Sequence, residues 1–344
     1  MNAAVMHGHG GPEVLVPGRL PVPAVGPGAV RVDLKAAALN RLDLFTRNGH
    51  PSLKLSFPHI PGADGAGVVA EVGADVAGIS VGQRVVVSPG LSCGACLDCL
   101  SGRDNLCRRY SVLGNRHPGT YCESLVLPAA NVLPLPDRMS FAEGAAAGLV
   151  FLTAWHMLVG RARVRVGETV LVQAAGSGVG MAAIQIAKLF RCRVLTTVSS
   201  PEKAARAREL GADECIDYRA ADFREEVMRL TAKAGVDVVI EHVGGEVFEK
   251  SVLSLARNGR LVTCGNTVGP TAGISTAHLF TRHLAVLGSY MGSKAELIEV
   301  MKFLGDGSLR AVIDSEFPLA RAADAHRRLE GREGFGKVVL EIGG

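Results

Sequence analysis

The first hundred residues read as short segments in which apolar side chains alternate with polar ones or run together: AVRVDLKAA, GAGVVAEVG and GQRVVVSPG, separated by Gly and Pro. Alternation turns every second side chain to one face, and Gly and Pro supply the turns between, so this stretch predicts an all-β, barrel-like module. The texture changes near residue 140. In SFAEGAAAGLVFLTAWHMLV, Ser140 stands three residues before Glu143 and ahead of a long apolar run, the spacing of a capping box, so a helix begins there. From Glu168 the chain reads strand, helix, strand: ETVLVQAAG, GVGMAAIQIAKLF, RVLTTVSS, SPEKAARARELGA and ECIDY, then VDVVIEHVG, RLVTCGN and LAVLGSY. Such alternation predicts a parallel sheet with helices on its faces. The last fifty residues hold one helical stretch, AELIEVMKFLGDG, then turn-rich sequence and a closing strand, GKVVLEIGG.

A length of 344 residues suits about two domains. With 48% hydrophobic and 20% charged residues the chain can bury enough apolar surface to be globular, and its 42 glycines point to tight turns and close backbone approaches. The net charge of +4 comes from 37 basic and 33 acidic residues scattered along the chain, which excludes nucleic acid and anionic membrane as partners and leaves small molecules. The N-terminus has no basic region followed by an apolar one, and no apolar run approaches the roughly 18 residues of a membrane span, the longest being residues 145–152. A soluble, cytoplasmic protein is expected. Of eight cysteines, four crowd together and Cys122, Cys192, Cys215 and Cys264 stand alone in apolar surroundings as buried thiols.

In VLVQAAGSGVGMAAIQIAK a buried strand runs into glycines and then a helix, so that backbone N–H groups at the helix start can face a pyrophosphate. Ala175, Ser177, Gly178 and Gly180 take the places of a dinucleotide fingerprint, with Gly176 and Val179 between them. The next strand ends about twenty residues on, at Val198, Ser199 and Ser200, where an NAD site would put a carboxylate on the ribose. That place offers hydroxyls instead, with Lys203 and Tyr218 following, a set that can hold a 2′-phosphate and flank adenine. NADPH is the expected cofactor. The alternative is that Lys203 is a solvated helix residue and Tyr218 packs at a strand end.

LSCGACLDCLSGRDNLCRRY places Cys93, Cys96, Cys99 and Cys107 as C-x2-C-x2-C-x7-C. Four thiolates this close can wrap one tetrahedral Zn2+ with no open position, a structural rather than catalytic site, although a four-thiolate shell also suits an iron–sulfur cluster.

Taken in order, the β module, PGADGAGVVAEVG, the cysteine lobe, AAGSGVGMAAIQIAK and GKVVLEI resemble the medium-chain dehydrogenase/reductase superfamily, which holds zinc-containing alcohol dehydrogenases and zinc-free quinone oxidoreductases. The resemblance covers the whole chain and implies an α/β protein. A GroES-like β-barrel catalytic domain would span 1–150 and carry a zinc lobe at 93–107; a Rossmann domain with a doubly wound parallel sheet would span 151–290; 291–344 would return to the catalytic domain, with the active site in the cleft between. In the family's alcohol dehydrogenases a catalytic zinc is held by a Cys, a His-Glu pair and a second Cys. Asn40 in ALNRLDLF, Ala63 and Asp64 in PGADGAG, and Leu149 before FLTAW stand at those places here. Ala and Leu cannot ligate, so no catalytic zinc is expected, unless His59 or Asp64 rebuilds the site for an alcohol or aldehyde dehydrogenase. Asn40 and Asp43 match the N-x-x-D pattern of the quinone oxidoreductase branch, which normally lacks the cysteine lobe kept here.

Without a Lewis acid, deprotonating an alcohol is hard, whereas a quinone or an α,β-unsaturated carbonyl takes hydride into a conjugated system and needs only hydrogen-bond donors for the charge that develops. The expected activity is therefore NADPH-dependent reduction of such a substrate, with Asn40 donating to the oxyanion and Asp43 and Asp64 orienting it; both aspartates read equally as helix or turn residues. The resemblance implies that Thr153, Val243, Gly244, Gly265, Asn266, Thr267, Leu287, Gly288 and Ser289 line the nicotinamide half, that Lys337 reaches the cofactor, and that LAVLGSY pairs across a homodimer or homotetramer. A nucleotide-binding protein without turnover is the alternative from outside the enzymes.

Overall fold

A computed structural model describes residues 1–49 and 53–343. The chain divides into two compact units, Met1–Leu149 with Ser293–Gly344, and Val150–Gly292.

The first unit is built on a seven-stranded sheet. Its main path runs Ile313–Pro318, Lys337–Glu341, Ala29–Ala38, Asp64–Val72, Arg84–Val87, Val132–Pro134, and Ser124–Pro128 pairs with the first half of Ala29–Ala38. Neighbours are antiparallel except Ile313–Pro318 beside Lys337–Glu341. The long strand Ala29–Ala38 serves two cores. Val30, Val32 and Leu34 pack with Val69, Val85 and Leu125, whereas Ala36 and Ala38 join Ala66, Ala145, Ala146 and Val339 on the other side. Strict alternation would keep positions 34 and 36 on one face; the register shift between Leu34 and Ala36 adds a residue and exchanges the faces. The second core is almost all alanine, which lets the start of the helix Phe141–Trp155 lie close on the sheet.

That helix continues into a π-helical turn, His156–Arg161. Contrary to the sequence expectation, residues 141–161 are long and apolar enough to cross a bilayer by length and composition, yet 72% of the apolar window is buried within the protein, as in a core helix.

The second unit holds six parallel strands in the order Glu214–Asp217, Arg193–Val198, Thr169–Val172, Val236–Glu241, Leu255–Thr263, Ala285–Gly288. Helices Gly178–Leu189, Pro201–Glu209, Phe223–Leu230, Gly245–Leu253 and Thr276–Arg282 connect them. The first strand in sequence, Thr169–Val172, lies inside the sheet, and the order reverses between it and Val236–Glu241. This is the doubly wound arrangement whose ligand crevice opens at the carboxyl ends of those two strands.

Candidate active site

At that reversal the strand Thr169–Val172 passes through Ala174, held at φ 53°, into the helix Gly178–Leu189. Ser177 caps the helix, accepting from the Gly180 N–H at 2.9 Å, and its hydroxyl also lies 2.9 Å from His242 Nε2 at the end of the neighbouring strand. A Cβ on Gly180 would stand 2.2 Å from the Ala174 carbonyl oxygen, so only glycine lets the helix start lie this close to the turn. The helix therefore presents its first N–H groups over a strand end, as an anionic pyrophosphate requires.

Ser199 and Ser200 follow the next strand, whose last residue, Val198, pairs with Asp217 just before Tyr218. Tyr218 is half exposed. Ser200 caps the helix Pro201–Glu209, accepting from the Lys203 N–H at 3.3 Å. The sequence reading overlooked Glu202, whose carboxylate takes a hydrogen bond from Ser200 that holds it below its ordinary range.

Further along the strand ends, Val243 and Gly244 donate their N–H groups to Glu241 at 2.6 and 2.7 Å, and Thr263 donates to its other oxygen at 3.1 Å. Burial pushes this carboxyl up, while the three donors pull it back. Glu241 thus shapes the loop that begins at Val243. A cavity of about 410 Å³ beside it is lined by Gly244, Gly245, Thr263, Gly265, Asn266 and Gly269, among others. Thr153 and Ser289 each bury a hydroxyl without a hydrogen-bond partner among the described residues, a state that costs about 1–3 kcal/mol unless a ligand satisfies it. Helix start, cavity and orphaned hydroxyls together fit a nicotinamide dinucleotide.

In the first unit, Asn40, Asp43 and Asp64 come together in the interior, all buried. Asn40 caps the helix Arg41–Asn48, and its N–H donates to Asp43 Oδ2 at 2.7 Å in a capping box. Its amide nitrogen donates to Asp64 Oδ2 at 2.9 Å and more weakly to the Ala38 carbonyl at 3.4 Å. Through this amide Asn40, the oxyanion donor expected from sequence, also holds its neighbours in place. Lys337, which the family resemblance expects to reach the cofactor, is buried, and its ammonium donates to Asn40 Oδ1 at 2.6 Å and Asp64 Oδ2 at 3.0 Å. Leu149 joins through its backbone, donating to Asp64 Oδ1 at 2.7 Å. The places that a metal's ligands would occupy are thus hydrogen-bonded to one another around a lysine.

These residues do not fit a catalytic metal. Both oxygens of Asp64 accept hydrogen bonds, and His59 Nε2 lies 3.0 Å from the Gly114 carbonyl. Among the described residues, the four-cysteine cluster is the one group of three or more His, Cys, Asp or Glu donors near enough to hold an ion.

Behind Asp43 runs a buried row that sequence reasoning missed. Tyr121 donates to Asp43 Oδ2 at 3.0 Å, His326 Nε2 lies 3.3 Å from the Tyr121 oxygen, and Arg47 reaches His326 Nδ1 at 3.2 Å and pairs with Glu330. Burial pushes Asp43 up to about 7 and, helped by the charge of Arg47, holds His326 down to about 3.

The sulfurs of Cys93, Cys96, Cys99 and Cys107 lie within 4.8 Å of one another, Cys93 to Cys99 at 3.8 Å and Cys96 to Cys99 at 3.5 Å. Thiolates at the corners of a zinc tetrahedron stand about 3.8 Å apart, given bonds of about 2.3 Å. The cluster fits such an ion. The lobe is tied down by Lys294, whose ammonium and backbone N–H each reach the buried Asp104 at 2.9 Å. A groove of about 540 Å³ beside the lobe includes none of Asn40, Asp64 and Lys337 in its lining.

Residues 26–137 match the family described as alcohol dehydrogenase GroES-like domain, and residues 178–306 the family described as zinc-binding dehydrogenase. A quinone oxidoreductase of Pseudomonas aeruginosa is 35% identical over 96% of this chain and 97% of its own length. A 2-haloacrylate reductase of a Burkholderia species is 32% identical over 98% of both. Among solved structures, one titled NAD-dependent alcohol dehydrogenase is 50% identical, with a TM-score of 0.95 and full coverage of both chains.

Proposed function

The chain belongs to the medium-chain dehydrogenase/reductase superfamily and is an oxidoreductase, and we propose that it uses NADPH to reduce a quinone or an α,β-unsaturated carbonyl without a catalytic metal. The observation that carries this reading is the Lys337 ammonium held between Asn40 and Asp64. A lysine bonded among the residues at a metal's ligand places cannot serve as the Lewis acid that alcohol oxidation needs, whereas a conjugated carbonyl takes hydride with its charge delocalised. The names of the quinone oxidoreductase and the 2-haloacrylate reductase are consistent with it.

When bound, a reduced nicotinamide supplies a hydride. The helix start at Ser177, Gly178, Val179 and Gly180 would hold its pyrophosphate, with Ala175 at the turn before them. Thr153 and Ser289 would satisfy its carboxamide, with Val243, Gly244, Gly265, Asn266 and Leu287 around the ring. Ser199, Ser200, Lys203 and Tyr218 would receive the 2′-phosphate. Cys93, Cys96, Cys99 and Cys107 would hold one structural zinc. The strand Ala285–Gly288 ends the sheet order, and its outer edge would pair with a second copy of the chain.

A second reading of the cofactor, NADH, is favoured by one observation: Glu202 hydrogen-bonds Ser200, and a carboxylate there suits a ribose hydroxyl better than a phosphate. The test is consumption of NADPH and of NADH by purified protein given an ortho-quinone, an enone or a simple aldehyde under anaerobic conditions. Turnover of quinone or enone is the expected result; reaction with the aldehyde alone would overturn the reading.

A further inference from the structure

We propose that His242 couples cofactor binding to a proton: its imidazole takes one up when a dinucleotide binds, and the Nε2–H so formed frees the Ser177 hydroxyl to donate to a phosphate oxygen. This rests on the reading above that the second unit holds a nicotinamide dinucleotide at the start of the helix Gly178–Leu189, and it gives that binding a dependence on pH that backbone N–H groups alone would not have.

The argument starts from the one hydrogen of the Ser177 hydroxyl. Its oxygen accepts from the Gly180 N–H at 2.9 Å, and His242 Nε2 lies at the same distance. A backbone N–H only donates, so the direction of the second bond decides where the hydroxyl hydrogen goes. With Nε2 bare, the hydroxyl donates to the ring and is spent inside the protein. With a hydrogen on Nε2 the ring donates, the oxygen accepts both bonds, and the hydroxyl hydrogen is released to an acceptor at the helix start. Imidazole changes between these states near neutral pH. The place of the ring favours its charged form once an anion arrives, because His242 follows the strand Val236–Glu241 at the reversal of the sheet and touches the cap of the helix that faces the anion. Its backbone is held by the next loop: Thr267 donates to the His242 carbonyl at 3.4 Å, and a Cβ on Gly265 would stand 3.6 Å from the His242 Cβ.

Within the second unit, the turn 173–180, the strand end 196–200 and the loop 265–269 carry no ionisable side chain. Glu241, the residue before, is tied to Val243, Gly244 and Thr263, and Cys264 is a thiol that burial pushes up to about 12. The helix Gly245–Leu253 adds Glu246 in its first turn and Glu249, which accepts from the Gly273 N–H. Of the cations on these elements, Lys188 pairs with Asp213 in the last turn of its helix, Lys250 pairs with Asp222, and Lys203 lies beyond Ser200. Carboxylates therefore outnumber free cations around the ring, which also favours the imidazolium.

The step is a proton transfer alone. A proton from solvent forms the second N–H bond of the ring, and the ring gains one positive charge beside the bound anion. Because binding takes up a proton, affinity is greatest at low pH and weakens as pH rises. His242 is a positioning residue for the Ser177 hydroxyl in this account.

The test is titration calorimetry of NADPH and of NADH binding, in two buffers of different ionisation enthalpy, which counts the protons taken up. Near pH 7.5 the wild type should take up on the order of half a proton, and its Kd should rise by up to about tenfold per pH unit, the limit set by one proton. His242→Gln offers Ser177 an amide N–H but cannot titrate, so it should bind without that uptake and with a Kd that stays flat over the same range. A phosphate monoester itself titrates near about pH 6, so with NADPH the difference between wild type and variant is read, and NADH, which has no such group, is the cleaner ligand. Ser177→Gly keeps most of the cap's stability and removes the hydroxyl; it should weaken binding most at low pH and make the profile shallower. No proton uptake by the wild type, which is what an exchange of tautomer alone would give, or equal uptake in His242→Gln, would overturn the proposal while leaving the cofactor reading intact. If neither cofactor binds, the cofactor reading fails and this proposal with it.

Discussion

Arg47 Nη1 lies 3.2 Å from Nδ1 of His326, and this contact fixes the tautomer of the ring. A guanidinium only donates, so Nδ1 is the acceptor and the hydrogen sits on Nε2, facing the Tyr121 oxygen at 3.3 Å. Tyr121 in turn points its hydrogen at Asp43, 3.0 Å away. Donors run one way, from a cation that pairs with the half-buried Glu330 to the cap of the helix that carries Asn40.

This row makes opposite contributions to stability as pH changes. Asp43 is raised from 3.8 to about 7, so between those values the folded chain keeps a proton the unfolded chain has released, and stability falls as pH rises. His326 is lowered from 6.5 to about 3, so between those values the unfolded chain takes a proton the folded chain refuses, and stability rises with pH. In the wild type the two partly cancel. Asp43→Asn should gain on the wild type by a few kcal/mol between pH 4 and 7, on the order set by the linkage, whereas His326→Gln should lose relative stability over the same range. Urea unfolding of all three proteins at several pH values checks this; parallel curves would contradict it.

Gly148 makes room for Asp64. A Cβ there would stand 2.7 Å from Asp64 Oδ1, the oxygen that accepts from the Leu149 N–H. Gly148→Ala should therefore destabilise by about 1–3 kcal/mol through overpacking, despite a helix-propensity gain of about 1 kcal/mol, and should reduce turnover by displacing the partner of Lys337. Gly305→Ala, whose Cβ would meet only Pro136 at 3.4 Å within another helix, should stabilise by up to about 1 kcal/mol. Chemical denaturation of the two variants should give shifts of opposite sign.

Removing the ion from the cysteine lobe should affect folding and not chemistry. Elemental analysis should find one zinc per chain, lost in Cys107→Ser. A chelator should lower the melting temperature by several degrees, on the order expected for a metal that closes a small lobe, while enone turnover per folded molecule is kept. Loss of turnover in step with zinc, at constant folded fraction, would assign the ion a catalytic part.

Lys203 and Glu202 should pull the cofactor preference in opposite directions. Lys203→Met should lower kcat/KM for NADPH by about tenfold, the effect of about 1.4 kcal/mol, and leave NADH nearly unchanged. Glu202→Gln should raise the ratio of NADPH to NADH by removing a carboxylate from beside Ser200. Steady-state kinetics with both cofactors measures the ratio directly.

What could be read from sequence follows the distance over which each feature is built. The cysteine cluster is assembled within fifteen residues, and the cap and glycines of the Gly178–Leu189 helix are consecutive, so spacing alone carries their geometry. The alternation that predicted a parallel sheet is likewise local. The cluster around Lys337 is not: Asn40 lies 297 positions from it and Asp64 lies 273, and Tyr121 meets His326 across 205. One sequence holds no record of such pairings. A signal was present, because Lys337 opens a strand whose next three residues are all apolar, and a lysine buried in that setting calls for a carboxylate partner. The exchange of faces at Ala36 had no signal at all, since alanine is compatible with either core.

The sheet of the first unit has a consequence for the chain as it leaves the ribosome. All six strands of the second unit, within Val150–Gly292, are synthesised before Ile313–Pro318 and Lys337–Glu341. During that interval the nascent Ala29–Ala38 strand lacks its neighbour along Ala36, Ala37 and Ala38, an open edge able to accept the wrong partner. Asp64, made early, waits the same interval for its counter-charge. Translational pauses after residue 292 would lengthen the exposure, so the yield of folded protein should depend on how quickly the last stretch is made and on chaperones that cover that edge meanwhile.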